Sequence, residues 1–133
     1  MVDANKGLQL RSLIKKSGEL EISLQNVPTP EPGPDEVVVR VEATPINPSD
    51  IGLLIGAADL STFKAAGNRD APVITAKVPE AAMKAMAGRL DESTPVGNEG
   101  AGRVVKTGSS DAAKAMMGKT VSMIGGAMYG LSD

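Results

Sequence analysis

The sequence predicts a mainly β domain, a barrel or sandwich of about seven short strands carrying one inserted helix. Three observations predict it. Apolar and polar residues alternate with a period of two in several segments of strand length. Prolines and glycines punctuate those segments at short intervals. Only residues 79–92 carry apolar side chains at helical spacing over more than two turns.

The elements follow in order. "LQLRSLI" (8–14) alternates as a strand, and "ELEISLQNV" (19–27) places Leu20, Ile22 and Leu24 on one side and Glu21 and Ser23 on the other. Ser17-Gly18 between them reads as a hairpin turn. "PTPEPGPDE" (28–36) spaces Pro28, Pro30, Pro32 and Pro34 along a rigid extended connector, because each proline fixes φ and removes a donor. "EVVVRVEAT" (36–44) has the strongest strand propensity and stops at Pro45. In "NPSDIGLLIG" (47–56), Asn47 or Ser49 caps a short helical turn carrying Ile51, Leu54 and Ile55. Residues 57–78 read as irregular, apart from a strand at "APVITAKV" (71–78).

The helix is predicted over "PEAAMKAMAGRLDE" (79–92). Pro79 suits a first turn, Glu80 favours the positive end of the dipole, and Met83, Met86, Ala87 and Leu90 form an apolar stripe for ordinary packing. "GRVVKTGSS" (102–110) is a further strand, and a helical turn after Asp111 leads to a last strand over Thr120 to Ile124.

Composition narrows the chemistry. The chain has 133 residues, sized for one domain, with 14 basic and 16 acidic residues and a net charge of −2. No basic stripe of the nucleic-acid kind is present, and no stretch approaches the ~20 apolar residues of a membrane span. There is no cysteine and no histidine. That excludes disulfides, thiol catalysis, histidine triads and zinc held by Cys or His. Any proton chemistry falls to Asp, Glu, Lys, Tyr, substrate or water. The N-terminus has no signal-peptide core, and a cytoplasmic location is expected.

"PVGNEGAGRVV" (95–105) concentrates the functional question. A dinucleotide loop runs G-x-G-x-x-G from a strand into a helix. Here Gly97, Gly100 and Gly102 give G-x-x-G-x-G, and a strand follows. No helix N-terminus would receive a pyrophosphate. Gly118-Lys119-Thr120 supplies only the tail of a Walker loop. What remains is a turn and bulge where neighbouring backbone approaches closely. Glu99, among small residues, is expected to be partly buried against Arg103, Arg40 or Lys119.

Two stretches together resemble a known family. Residues 27–56 read P-x-P-x-P-x-x-x-E-V-x-V-x-V and then N-P-x-D; residues 95–126 read G-x-E-x-A-G-x-V and then G-x-x-V. In order and extent these resemble the N-terminal, GroES-like half of medium-chain dehydrogenases/reductases, in the zinc-free NADPH:quinone oxidoreductase and enoyl reductase branch. The resemblance implies a GroES-like, partly open β-barrel. In zinc-bearing relatives a cysteine stands close before the aspartate of N-P-x-D, and a histidine precedes the glutamate of G-x-E-x-x-G. This chain has Asn47 and Pro48 before Asp50, and Asn98 in the histidine's place. No zinc is expected.

The resemblance further implies hydride delivery from NADPH to a quinone or enone, with Asn47 and Asp50 beside the nicotinamide cleft. Tyr129 falls where the family's next segment borders the substrate. For these residues the alternative is structural: cap and turn for Asn47 and Asp50, terminal packing for Tyr129. Gly97 stands 47 positions after Asp50, a longer link than the family's. The extra residues, 57–92, would cover the cleft, widen a subunit contact or form a surface insertion. No nucleotide fingerprint of the Rossmann domain is present in these 133 residues. The expected whole is therefore one substrate-side domain, truncated, inactive alone and binding no NADPH tightly. A stand-alone GroES-like binding or assembly module, oligomeric through an exposed docking face, is the alternative.

Overall fold

A computed structural model describes residues 6–124, and Tyr129 lies outside them. The chain is mainly β, with strands in two antiparallel sheets and no closed barrel among the described residues. It falls into two compact units. Among the described residues, the first comprises residues 6–8, 26–45 and 97–124, and the second residues 9–25 and 46–96.

The second unit is built around a five-stranded sheet. Its strands are β1 (Lys6–Lys15), β2 (Glu19–Pro28), β4 (Asp59–Gly67), β5 (Pro72–Lys77) and β6 (Thr94–Pro95), in the order β4-β5-β2-β1-β6. The ends of β1 and β2, residues 6–8 and 26–28, belong to the first unit. Gly18 takes φ +81° at the β1–β2 turn, a conformation open to glycine, and its N–H bonds the Lys15 carbonyl at 2.9 Å. The alternation read in residues 19–24 places Leu20 and Ile22 inward, where they join Ile14, Ala76 and Val78 in the core. Helix α1 (Pro48–Ile55) packs Leu54 and Ile55 against that cluster.

Two expectations fail here. Residues 57–71 are not irregular, since β4 pairs with β5 in a hairpin whose turn has Gly67 at φ +73°. Every residue of β4 except Thr62 is exposed, so no apolar row marks it as a strand. The helix over 79–92 is also mostly absent. Helix α2 covers only Glu80–Met83, and a single 3₁₀ turn follows at Ala87–Arg89. Gly88 sits within that turn, where glycine weakens a helix by about 1 kcal/mol relative to alanine, and Arg89 is bonded away from the segment. The stripe still packs: Met83, Met86 and Leu90 cover the core.

At the end of that segment Asp91 takes φ +60°. Its N–H bonds the Ile14 carbonyl at 2.8 Å, and its carboxylate accepts from the Lys16 N–H at 2.9 Å. That N–H, together with the Lys16 ammonium 3.2 Å from the carboxylate, holds the Asp91 carboxyl below the usual aspartate value.

The first unit carries a three-stranded sheet, β3 (Val37–Ala43), β7 (Glu99–Thr107) and β8 (Thr120–Ile124), with β7 central. Helix α3 (Asp111–Lys114) is capped by Ser110, whose hydroxyl accepts from the Ala113 N–H at 3.1 Å. Among the described residues of this unit, Val104 on β7 and Ala113 on α3 are the buried apolar ones. The proline connector is pinned to the loop after β7 by Gly108 N–H to Glu36 O at 2.8 Å and Ser110 N–H to Pro34 O at 3.0 Å.

Candidate functional site

The N-P-x-D motif forms the start of α1. Asn47 is extended (φ −88°, ψ 156°) at the N-cap, and Pro48 occupies the first turn, where its missing N–H costs nothing. Asp50, at the third helical position, turns its carboxylate back to accept from the Asn47 N–H at 2.8 Å. This is one arm of a capping box. Asp50 is buried, with 5% of its surface exposed, while Pro48, Ser49 and Ile51 are exposed. The structure therefore brings Asn47 and Asp50 together and gives the carboxylate a backbone partner.

A stability measurement separates the cap from a purely substrate-facing role. Asp50→Ala is expected to cost about 1 kcal/mol in urea denaturation, and Asp50→Asn, which keeps an acceptor oxygen, less than half of that.

The glycine stretch enters β7. Gly97 takes φ +107° at the turn, and Gly100 is buried opposite Met123. At Gly102 a Cβ would lie 2.0 Å from the Arg40 carbonyl oxygen and 2.9 Å from the Val41 Cα. The backbone of β3 fills the space a phosphate would need. Glu99 is half-buried, and its carbonyl accepts from the Thr44 hydroxyl at 2.7 Å. At Gly102 the backbone of β3 leaves no room for the pyrophosphate of NADPH, and at the α1 terminus the Asp50 carboxylate stands against it.

One polar cluster was not anticipated. Ser12 is fully buried, donates to the Leu54 carbonyl at 2.9 Å and accepts from Arg89 Nη2 at 3.1 Å. Arg89 Nη1 donates to the Leu53 carbonyl at 3.0 Å, and its Nε is buried without a hydrogen-bond partner. Burial lowers the Arg89 pKa from its ordinary value. The signal was present in sequence: Ser12 interrupts the inward row Leu10, Ser12, Ile14. With a guanidinium and a carbonyl as its partners, the hydroxyl lacks the base that nucleophilic catalysis requires.

A surface cavity of about 500 Å³ lies by the β1–β2 turn, lined by Lys16, Gly18, Lys77, Val78, Glu80 and Met83 among others. None of Asn47, Asp50, Gly97, Glu99, Gly100 and Gly102 lines it. Beside it Lys15 bonds Glu19 at 2.7 Å and Glu21 at 2.8 Å, which raises the lysine pKa well above its usual value. Among the described residues no group of three or more acidic, His or Cys side chains is placed to hold a metal ion. No helix among them is long and apolar enough to cross a membrane. Compared with protein-family models and with curated proteins, the chain matches none.

Proposed function

We propose that this chain is the GroES-like, substrate-side domain of a zinc-independent, NADPH-dependent quinone or enone oxidoreductase. The observation that carries the reading is the ordered motif set, from the proline connector through N-P-x-D to G-x-E-x-A-G-x-V, in a mainly β chain. The locked N-P-x-D corner supports it further. Asn47 is the polar group offered to the substrate carbonyl, and Asp50 is a positioning residue that fixes the backbone of residue 47. The chain's own residues supply orientation only. The dinucleotide is held elsewhere, since no strand–G-x-G-x-x-G–helix unit occurs in the sequence.

Two measurements on the purified chain test this. With NADPH and a simple quinone, turnover is expected to equal background. Menadione alone, which finds no cysteine to alkylate, is expected to shift the NMR resonances of residues 47–51, and Asn47→Ala to abolish the shift. Turnover by this chain, or menadione leaving those resonances unmoved, overturns the reading.

A further inference from the structure

β4 ends the five-stranded sheet, and no described strand pairs with its outer side. An edge of nine residues exposed almost throughout, without proline, is a template for pairing with another chain. Leu60 (59% exposed), Phe63 (39%) and, on β5, Ile74 (41%) add apolar surface beside it. The only charges along β4 are Asp59 and Lys64.

The strand is not regular. Asp59 pairs with Lys77 and Lys64 with Thr75, so five steps along β4 match two along β5. The surplus is folded into a bulge closed by side chains. The Asp59 carboxylate accepts from Ser61 twice, from its N–H at 3.0 Å and its hydroxyl at 2.7 Å. The Thr62 hydroxyl donates to the Asp59 carbonyl at 2.7 Å and accepts from the Lys77 N–H at 2.8 Å. In a regular hydrogen-bonded antiparallel pair those two backbone groups would meet directly. The hydroxyl is thus interposed in a rung of the ladder, and Thr62 is the one residue of β4 that is not exposed.

We propose that the Asp59–Thr62 bulge guards this sheet edge: Thr62 wedges open the rung at Asp59 and Lys77, and the resulting kink keeps a second copy of the chain from adding its own β4 strand. Bulges that bend an edge away from partners are a known means of blocking edge-to-edge association. The inference is independent of the oxidoreductase reading.

Light scattering behind size exclusion on the full chain tests it. Thr62→Val removes the hydroxyl at nearly constant volume, and Asp59→Ala releases the exposed turn at little risk to folding. Each is expected to at least double the mass found for the unaltered chain as concentration rises. Thr62→Ser keeps the hydroxyl and is expected to leave the mass unchanged. Adding Ala66→Lys, a charge on the exposed edge beside Lys64, is expected to return Thr62→Val to the starting mass. If Thr62→Val does not fold, Asp59→Ala decides. Association unaffected in Asp59→Ala and in a folded Thr62→Val overturns the proposal, as does association that Ala66→Lys leaves in place.

Discussion

Gly102→Ala is expected to destabilise the chain by at least about 3 kcal/mol, a large share of the ~5–15 kcal/mol typical of a domain. The added methyl would stand 2.0 Å from the Arg40 carbonyl oxygen, 2.8 Å from its carbon and 2.9 Å from the Val41 Cα. All three are backbone atoms, so no side chain can rotate away. Relief requires β3 and β7 to part at the Val41–Gly102 pair, beside the irregularity between Val41 and Ala43. Urea denaturation measures the loss, and Gly52→Ala provides the control. Gly52 lies within α1 with nothing inside 4 Å of its would-be Cβ, so alanine there is expected to stabilise by about 0.5–1 kcal/mol. The same methyl thus acts with opposite sign at the two glycines. If Gly102 instead lay open to cradle an anion, Gly102→Ala would fold as stably as the parent, and that result would refute the packing account.

The close approach at Gly102 was legible as chemistry before it was visible as geometry. A glycine series in the wrong order for a nucleotide loop, running into a β-branched strand, leaves backbone proximity as the reason for glycine. The hairpin at Gly18 was legible for similar reasons, and a helix start at Asn47 or Ser49 was legible too, with the structure placing the cap at Asn47. Residues 57–71 were not legible, because β4 holds its place through the Thr62 hydroxyl and pairing with β5 rather than through an apolar face. The helix over 79–92 misled for the opposite reason. Its stripe is real, but tertiary bonds from Arg89 to Leu53 and Ser12 take the chain out of helical geometry. A period of 3.6 specifies a buried face and not the backbone that presents it. Of the candidate site, the motif offered Asn47 and Asp50 as cap and turn residues without the bond between them, and the Ser12–Arg89 cluster depends on contacts between residues 77 positions apart.

That cluster carries the second large effect. Ser12→Ala is expected to cost about 2–3 kcal/mol, far more than one neutral surface hydrogen bond. The hydroxyl is fully buried and serves two partners, so its loss strands the Leu54 carbonyl and one Arg89 N–H where water does not reach Ser12. Arg89 also meets the last turn of α1 through the Leu53 carbonyl, where a cation complements the negative helix end. Arg89→Met is expected to cost about 1–2 kcal/mol, the smaller sum, because the guanidinium already leaves its buried Nε unsatisfied. The two side chains share a hydrogen bond, so the double variant should fall short of additivity by about 1 kcal/mol in denaturation. Additive losses would mean that Ser12 and Arg89 act on α1 separately. A shortfall means that the serine is retained in an apolar row to receive the arginine, which explains why a hydroxyl stands at an inward position between Leu10 and Ile14.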